Sequence, residues 1–88
     1  MSLQELLNAG LLQERQKLYD KNKNFICYLL DNDRVTDGQD ELSIHKMAAK
    51  HLNKSNHNGW SYFYVEQGQR LVSIDSFRYE YERAQNAN

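Results

Sequence analysis

The sequence predicts a small α+β domain in which one antiparallel sheet of about four or five strands is covered by helices on one side. Short apolar or alternating runs of strand length are separated by polar turns. A helical repeat with apolar residues every four positions lies in the middle of the chain, and a second helical segment closes it. With 88 residues, a single domain over residues 1–88 is the expected organisation.

The first predicted element is a helix from Ser2 to Ala9. Ser2 is a suitable N-cap, and Glu5 follows it at the spacing of a capping box. Three leucines then share one apolar face of the helix: Leu3, Leu6 and Leu7. Gly10 stands where a left-handed residue is expected to end the helix.

Short strands and turns are predicted next. The polar stretch 20–24 is a turn, and the apolar run from Phe25 to Leu30 is short enough to favour a strand over a helix. A tight turn at 32–34 leads to a short return strand at Val35 and Thr36. Asp37-Gly38 closes this unit as a further turn.

The clearest predicted helix runs from Glu41 to Asn53, with Ser43 as its N-cap. Its inward stripe consists of apolar residues: Ile44, Met47, Ala48 and Leu52. Lys46 and Lys50 fall on the opposite, outer face, one helical turn apart.

A polar loop over 53–59 is followed by a predicted strand from Trp60 to Val65, whose alternating residues are large on both faces. The segment 67–69 is a hairpin turn, and Leu71 to Ser73 form the return strand. A last helix, capped by Ser73 or Asp75, extends to about residue 83, and residues 84–88 form a frayed tail.

Composition excludes several classes of function. The lone cysteine, Cys27, excludes an internal disulfide and fits a reducing compartment. No stretch is apolar and long enough to span a bilayer and no secretory signal is present, so a cytoplasmic location is expected. His45 and His51 are spaced poorly for one helical face, so no metal site is predicted. No nucleophile, phosphate-loop or nucleotide motif appears, and we expect neither enzymatic activity nor a cofactor.

The run from residue 45 to residue 58 contains three lysines, three histidines and no acidic residue. Its lysines can contact phosphates, and its asparagines can reach base edges. The residues concerned are Lys46, Lys50, Lys54, Asn56 and Asn58. The alternative is an ordinary solvated helix face followed by a loop, and the sequence leaves both open.

The tripeptide Asn58-Gly59-Trp60 is the second notable feature of this region. Glycine permits a positive φ before an aromatic residue that begins a strand. The indole of Trp60 is then either a core wedge or a platform on which a base stacks.

Several short motifs, in this order, resemble the RAMA (restriction enzyme adenine methylase associated) family. They are Gly10-Leu11-Leu12, Leu18-Tyr19, Ala48-Ala49-Lys50, Asn58-Gly59-Trp60 with the aromatic segment after it, and the run from Ile74 to Arg78. The resemblance extends over nearly the whole chain, from Leu3 to Arg78.

The resemblance implies a small non-enzymatic accessory domain that binds DNA, with modified DNA as a candidate ligand, in a restriction, methylation or chromatin setting. On this interpretation Lys46, Lys50 and Lys54 neutralise phosphates. Three loop residues approach the groove or a modified base, namely Asn56, His57 and Asn58, and Trp60 sets the loop. The net charge of −1 predicts weak affinity, micromolar or worse at physiological salt.

A protein-interaction domain is the alternative function. The last helix carries Tyr79 and Tyr81, and tyrosine is enriched at protein interfaces. An uncovered sheet edge is a second surface through which such a domain can bind a partner.

Overall fold

The computed structural model describes residues 2–86. Its six strands form one antiparallel sheet in the order β4-β3-β2-β1-β5-β6. The strands are β1 (Lys17–Tyr19), β2 (Phe25–Leu29), β3 (Val35–Thr36), β4 (Glu41–Leu42), β5 (Tyr64–Gln67) and β6 (Arg70–Ser73). The helices are α1 (Leu3–Asn8), α2 (Ile44–Leu52), α3 (Gly59–Tyr62) and α4 (Ile74–Asn86). The predicted α+β class is confirmed, with slightly more strands than expected.

The helices cover one face of the sheet. Sheet residues that are fully buried lie on this face, among them Leu18, Leu29, Val35 and Val65. All four helices contribute apolar side chains to the same cluster, including Leu6, Met47, Trp60 and Phe77. The opposite face presents exposed residues, such as Lys17 and Tyr28.

The first helix forms as its capping residues predict. The hydroxyl of Ser2 accepts a hydrogen bond from the backbone N–H of Glu5 at 3.2 Å. Gly10 follows with φ of 79°, a conformation that glycine adopts without steric cost. Leu12 is then buried and holds the returning chain against the core.

The middle helix begins later than predicted. Glu41 and Leu42 form strand β4, so the expected helix start at Glu41 is wrong. Ser43 is nevertheless the N-cap, because its hydroxyl accepts a hydrogen bond from the N–H of Lys46 at 3.2 Å. Asn53 ends the helix in the left-handed conformation, with φ of 57°.

The prediction of a strand from Trp60 to Val65 is wrong. Residues 59–62 form the short helix α3, and the strand begins only at Tyr64. Trp60 and Phe63 are both buried at a spacing of three residues, which suits a helical turn rather than a strand. The alternation of aromatic residues in this segment imitates a strand pattern.

The last helix is longer than predicted. It extends to Asn86, so part of the tail expected to fray is helical, and residues 87–88 lie outside the described residues. Its first turn begins after Ser73, whose hydroxyl accepts a hydrogen bond from the N–H of Asp75 at 3.2 Å. No helix within residues 2–86 has the length and apolar character needed to cross a membrane.

Candidate nucleic-acid interface

Lys46 and Lys50 lie on the exposed face of α2, as the helical spacing predicts. The ammonium group of Lys50 is already engaged. It forms ion pairs with Asp37 and with Asp40, the latter at 2.9 Å. Lys50 therefore ties the loop after β3 to α2, and its charge is not free for a phosphate.

The ion pair between Lys50 and Asp37 shifts the pKa values of both side chains. The hydrogen bond from Lys50, helped by the N–H groups of Asp40 and Gln39, holds the pKa of Asp37 well below its usual range. Hydrogen bonds to Asp37 and Asp40 raise the pKa of Lys50. The side chain of Asp37 is only 9% exposed, and a carboxylate so enclosed needs this partner.

Asn58 and Trp60 both have structural roles in the fold, Asn58 from an exposed position and Trp60 from a buried one. The side-chain oxygen of Asn58 caps α3 by accepting a hydrogen bond from the N–H of Trp60 at 3.0 Å. Trp60 is 6% exposed, and the guanidinium carbon of Arg78 lies 4.8 Å from the centre of its ring. An indole enclosed in this way has no free face on which a base can stack.

Gly59 does not have the positive φ expected of it. It is required for another reason, because it packs against the backbone of Ile44 with no space for a Cβ atom. Its N–H donates to Nδ1 of His45 at 2.9 Å. The Asn58-Gly59-Trp60 tripeptide therefore fastens α3 to the start of α2.

A concave site with several polar groups lies between the β1–β2 turn and the loop after α2, and we call it the cleft. It has a volume of about 390 Å³. It is lined by residues from the β1–β2 turn, from the end of α2 with the loop after it, and from α3 and β5: Asp20, Lys21, Asn22, Leu52, Lys54, His57, Ser61, Tyr62 and Tyr64. Of the predicted site residues, the cleft brings together Lys54 and His57. Lys46, Lys50, Asn56, Asn58 and Trp60 do not line it.

The β1–β2 turn contributes cleft residues that the sequence did not indicate. Asp20 organises this turn, because one carboxylate oxygen accepts hydrogen bonds at 2.9 Å from the N–H groups of Asn22 and Asn24. Burial opposes ionisation of Asp20, but the backbone and side-chain hydrogen bonds from Asn24 outweigh it and lower the pKa. In the sequence, this turn is indicated by an aspartate with asparagines two and four residues after it, since an aspartate side chain can accept hydrogen bonds from the backbone that follows. The turn presents Lys21 and Asn22 to the cleft.

Lys21 and Lys54 are the cations of the cleft. Neither takes part in an ion pair with any residue between 2 and 86. The carboxylate of Asp20 is hydrogen-bonded within its own turn and also interacts with the charge of Lys21, so the cleft holds two lysines against one carboxylate. The cleft can therefore attract an anion.

Rings form one wall of the cleft. The imidazole of His57 meets the ring of Tyr62 edge to face, with 5.8 Å between their centres. Burial, followed by the nearby charge of Asp20, raises the pKa of the Tyr62 hydroxyl, which therefore stays protonated as a donor. Cations, hydroxyl groups, an amide and ring surfaces suit a ligand that has both phosphates and planar groups.

Within residues 2–86, no three histidine, cysteine or acidic side chains are arranged to hold a metal ion.

The chain is similar in sequence to known proteins. A family model described as Restriction Enzyme Adenine Methylase Associated matches residues 1–87. The chain is also similar to the type II methyltransferase M.HinfI of Haemophilus influenzae, at 47% identity over 79 residues. The match covers 90% of this chain and 22% of that relative, so the chain spans about a fifth of the relative's length.

Proposed function

The chain belongs to the Restriction Enzyme Adenine Methylase Associated (RAMA) family, and on this basis we propose that it is a non-enzymatic accessory domain that binds DNA through the cleft. Its relative is a methyltransferase of which it matches only a small part. A domain of this size without a catalytic constellation fits a recognition role beside an enzyme, rather than the enzyme itself.

The proposal rests mainly on one observation: Lys21 and Lys54 both line the same cleft. These lysines come from segments far apart in the sequence, and the fold brings both to the lining of the cleft. Ring surfaces and the Asn22 amide stand beside them. Such a combination contacts phosphates through its cations and bases through its polar and aromatic groups.

The predicted site residues take different roles in this proposal. Lys54 contacts phosphates, and Lys46 contacts the flanking backbone from the outer face of α2. His57 and Asn56 approach the bases. The remaining residues act indirectly. Lys50 holds the 37–40 loop, and Asn58 and Trp60 hold α3 in place.

We propose modified DNA as the specific ligand. The cleft is concave, and its wall of rings and hydrogen-bonding groups can discriminate a substituent on a base. In a bacterial cell, this function places the domain in the cytoplasm, where the DNA lies.

Fluorescence anisotropy with short labelled duplexes tests the proposal. The duplexes are unmodified, N6-methyladenine-containing or modified at cytosine, and each is measured at two salt concentrations. We expect saturable binding that weakens with salt, and a preference for one duplex identifies the modification. Absence of binding to every duplex at tens of micromolar protein would overturn the proposal.

Charge reversal then locates the site. Lys54→Glu and Lys21→Glu should each weaken binding to all duplexes alike, because phosphate contacts carry no sequence information. Arg83→Glu on the last turns of α4 is the matched control, since it makes the same charge change outside the cleft. If Arg83→Glu weakens binding as much as Lys54→Glu does, the effect comes from net charge and the cleft is not the site.

A protein-interaction role is the second candidate function. Tyr79 on α4 is 64% exposed, so its ring is accessible to a partner. Tyr81 instead packs partly against the core. Sedimentation equilibrium tests for self-association through this helix, and a dimer that Tyr79→Ala dissociates would support this role.

A further inference from the structure

The sheet face opposite the helices carries a cluster of aromatic rings, formed by Tyr19, Phe25 and Tyr28, which we call the aromatic face. The rings of Tyr19 and Phe25 lie 6.3 Å apart between centres, and those of Phe25 and Tyr28 lie 4.9 Å apart. Phe25 is 46% exposed and Tyr28 is 36% exposed. Three adjoining rings on an uncovered sheet face, two of them exposed, form an apolar patch of the kind that marks interaction sites.

Backbone pairing holds these rings outside. Leu18 pairs with Cys27 and both enter the core, so the neighbouring positions Lys17 and Tyr28 face outward together. A register shift after Leu18 places Tyr19 opposite Phe25. The rings cannot turn inward unless the strands slip in register, which would expel the buried residues.

The hairpin that carries the rings is basic, although the whole chain is slightly acidic. Residues 15–29 hold four of the eleven lysines and arginines but one of the twelve acidic residues, Asp20. Lys17 stands beside Tyr28 in the strand register. Lys23 at the turn pairs with Glu66 at 2.7 Å, while Lys21 remains without such a partner among residues 2–86.

We propose that the aromatic face binds single-stranded DNA, with unpaired bases stacked on Phe25 and Tyr28 and phosphates held by Lys17 and Lys21. Aromatic rings next to a basic track are the combination with which proteins bind unpaired nucleotides. Lysine is depleted at protein–protein interfaces, so the charge of this hairpin favours a nucleic acid over a protein partner.

The inference rests on the proposed DNA-binding function and deepens it. Tyr64 lines the cleft and pairs with Tyr19 in the sheet, so the cleft and the aromatic face adjoin. When a duplex is bound at the cleft, the aromatic face beside it can bind nucleotides that have separated from the base stack of the duplex.

Anisotropy of a labelled oligothymidine about ten nucleotides long tests the inference, because thymidine runs remain unpaired. We expect saturable binding by the unchanged protein. Phe25→Ala and Tyr28→Ala should each weaken it about 5- to 150-fold, the loss found when a stacking ring is removed. Phe25→Tyr keeps a ring and should retain binding. Tyr79→Ala is the control, since it removes an even more exposed ring from α4, outside the aromatic face, and it should have no effect.

Oligothymidine binding that survives both alanine substitutions would overturn the inference. Absence of oligothymidine binding, with a dimer that Phe25→Ala dissociates, would also overturn it and assign the face to a second copy of the chain. Lys54→Glu separates the two proposals, because it should weaken duplex binding and leave oligothymidine binding in place. Duplex binding at the cleft without any oligothymidine binding overturns this inference alone.

Discussion

Gly59 lies so close to the backbone of Ile44 that a Cβ atom on the glycine would stand 2.6 Å from the carbonyl carbon and oxygen of Ile44. This contact joins the start of α3 to the start of α2. It explains why glycine occupies a position that has no positive φ.

Gly59→Ala should therefore destabilise the domain by about 2 kcal/mol or more, because backbone atoms cannot move aside as a flexible side chain would. Thermal or urea unfolding measures the loss. Gly68→Ala adds the same methyl group where no atom lies within 4 Å, but at φ of 63°, and should cost about 1 kcal/mol. An equal or smaller loss at Gly59 would contradict the close contact.

Trp60 and Arg78 should be energetically coupled. The guanidinium carbon of Arg78 lies over the indole at 4.8 Å, and partial burial strengthens the attraction of a cation for a ring. A double-mutant cycle of Trp60→Leu and Arg78→Met should give a coupling free energy of about 1 kcal/mol. The same cycle with Arg83→Met in place of Arg78→Met should give none. Coupling of similar size in both cycles would show that the contact contributes nothing specific.

Asp37 should make stability depend on pH. Lys50 and the N–H groups of the 37–40 loop lower the pKa of Asp37 in the folded protein below its unfolded value. Because the folded pKa is depressed, this stabilisation is fully present above about pH 4 and declines as the pH falls toward the folded pKa.

Asp37→Asn tests this dependence, since the amide oxygen can still accept from the N–H groups of Gln39 and Asp40. The Tm of the variant should lie below that of the unchanged protein at pH 7, and the difference should shrink in acid. Asp31→Asn, in an exposed turn, is the matched control. A deficit that stays constant down to pH 2 would argue against the ion pair as its origin.

Lys54 and Lys50 should behave differently in salt titrations of duplex binding, although both belong to the same basic run. Each phosphate contact contributes about 1 to the slope of the logarithm of affinity against the logarithm of salt concentration. Lys54→Gln should reduce this slope by about 1, whereas Lys50→Gln should leave the slope unchanged and lower the Tm. A reduced slope for Lys50→Gln would mean that its ammonium leaves the carboxylates to bind DNA.

Cys27 should be unreactive in the folded protein. Burial, with a smaller contribution from the charge of Asp37, raises the pKa of its thiol to about 12, and the residue has no exposed surface. A chromogenic disulfide reagent should modify it no faster than the domain unfolds and should react at once in denaturant. Rapid modification under native conditions would show that strand β2 opens locally.

The sequence predicted those features that depend on nearby residues. Ser2 and Ser43 cap their helices through contacts only three residues away, and the period of the apolar stripe placed Lys46 and Lys50 on the outer face correctly. The strand at Phe25 was also predictable, because a short apolar run bounded by turns has few alternatives.

The features that depend on distant residues were not predictable. Lys50 and Asp37 meet only because β3 and β4 return the loop to α2, so the basic run looked free of acidic partners. The alternating aromatic residues from Trp60 onward match a strand pattern locally. In the folded protein they begin with a helical turn, which packs closely against Ile44, a residue distant in sequence. The cleft could not be predicted because Lys21 and Lys54 come from separate segments, neither of which has a distinctive sequence pattern.

The order of the sheet has a consequence for when the cleft forms during folding. Strands β1 to β4 pair with their neighbours in sequence, and β5 pairs with β6, whereas Tyr19 of β1 meets Tyr64 of β5 across the whole middle of the chain. Closing so long a loop is costly in entropy and is expected to come late in folding. The cleft lies at this seam, so a partly folded chain has both halves of the sheet but no cleft. Completing the fold and assembling the cleft are then one event, whereas the aromatic face, which belongs to the β1–β2 hairpin alone, forms without that closure.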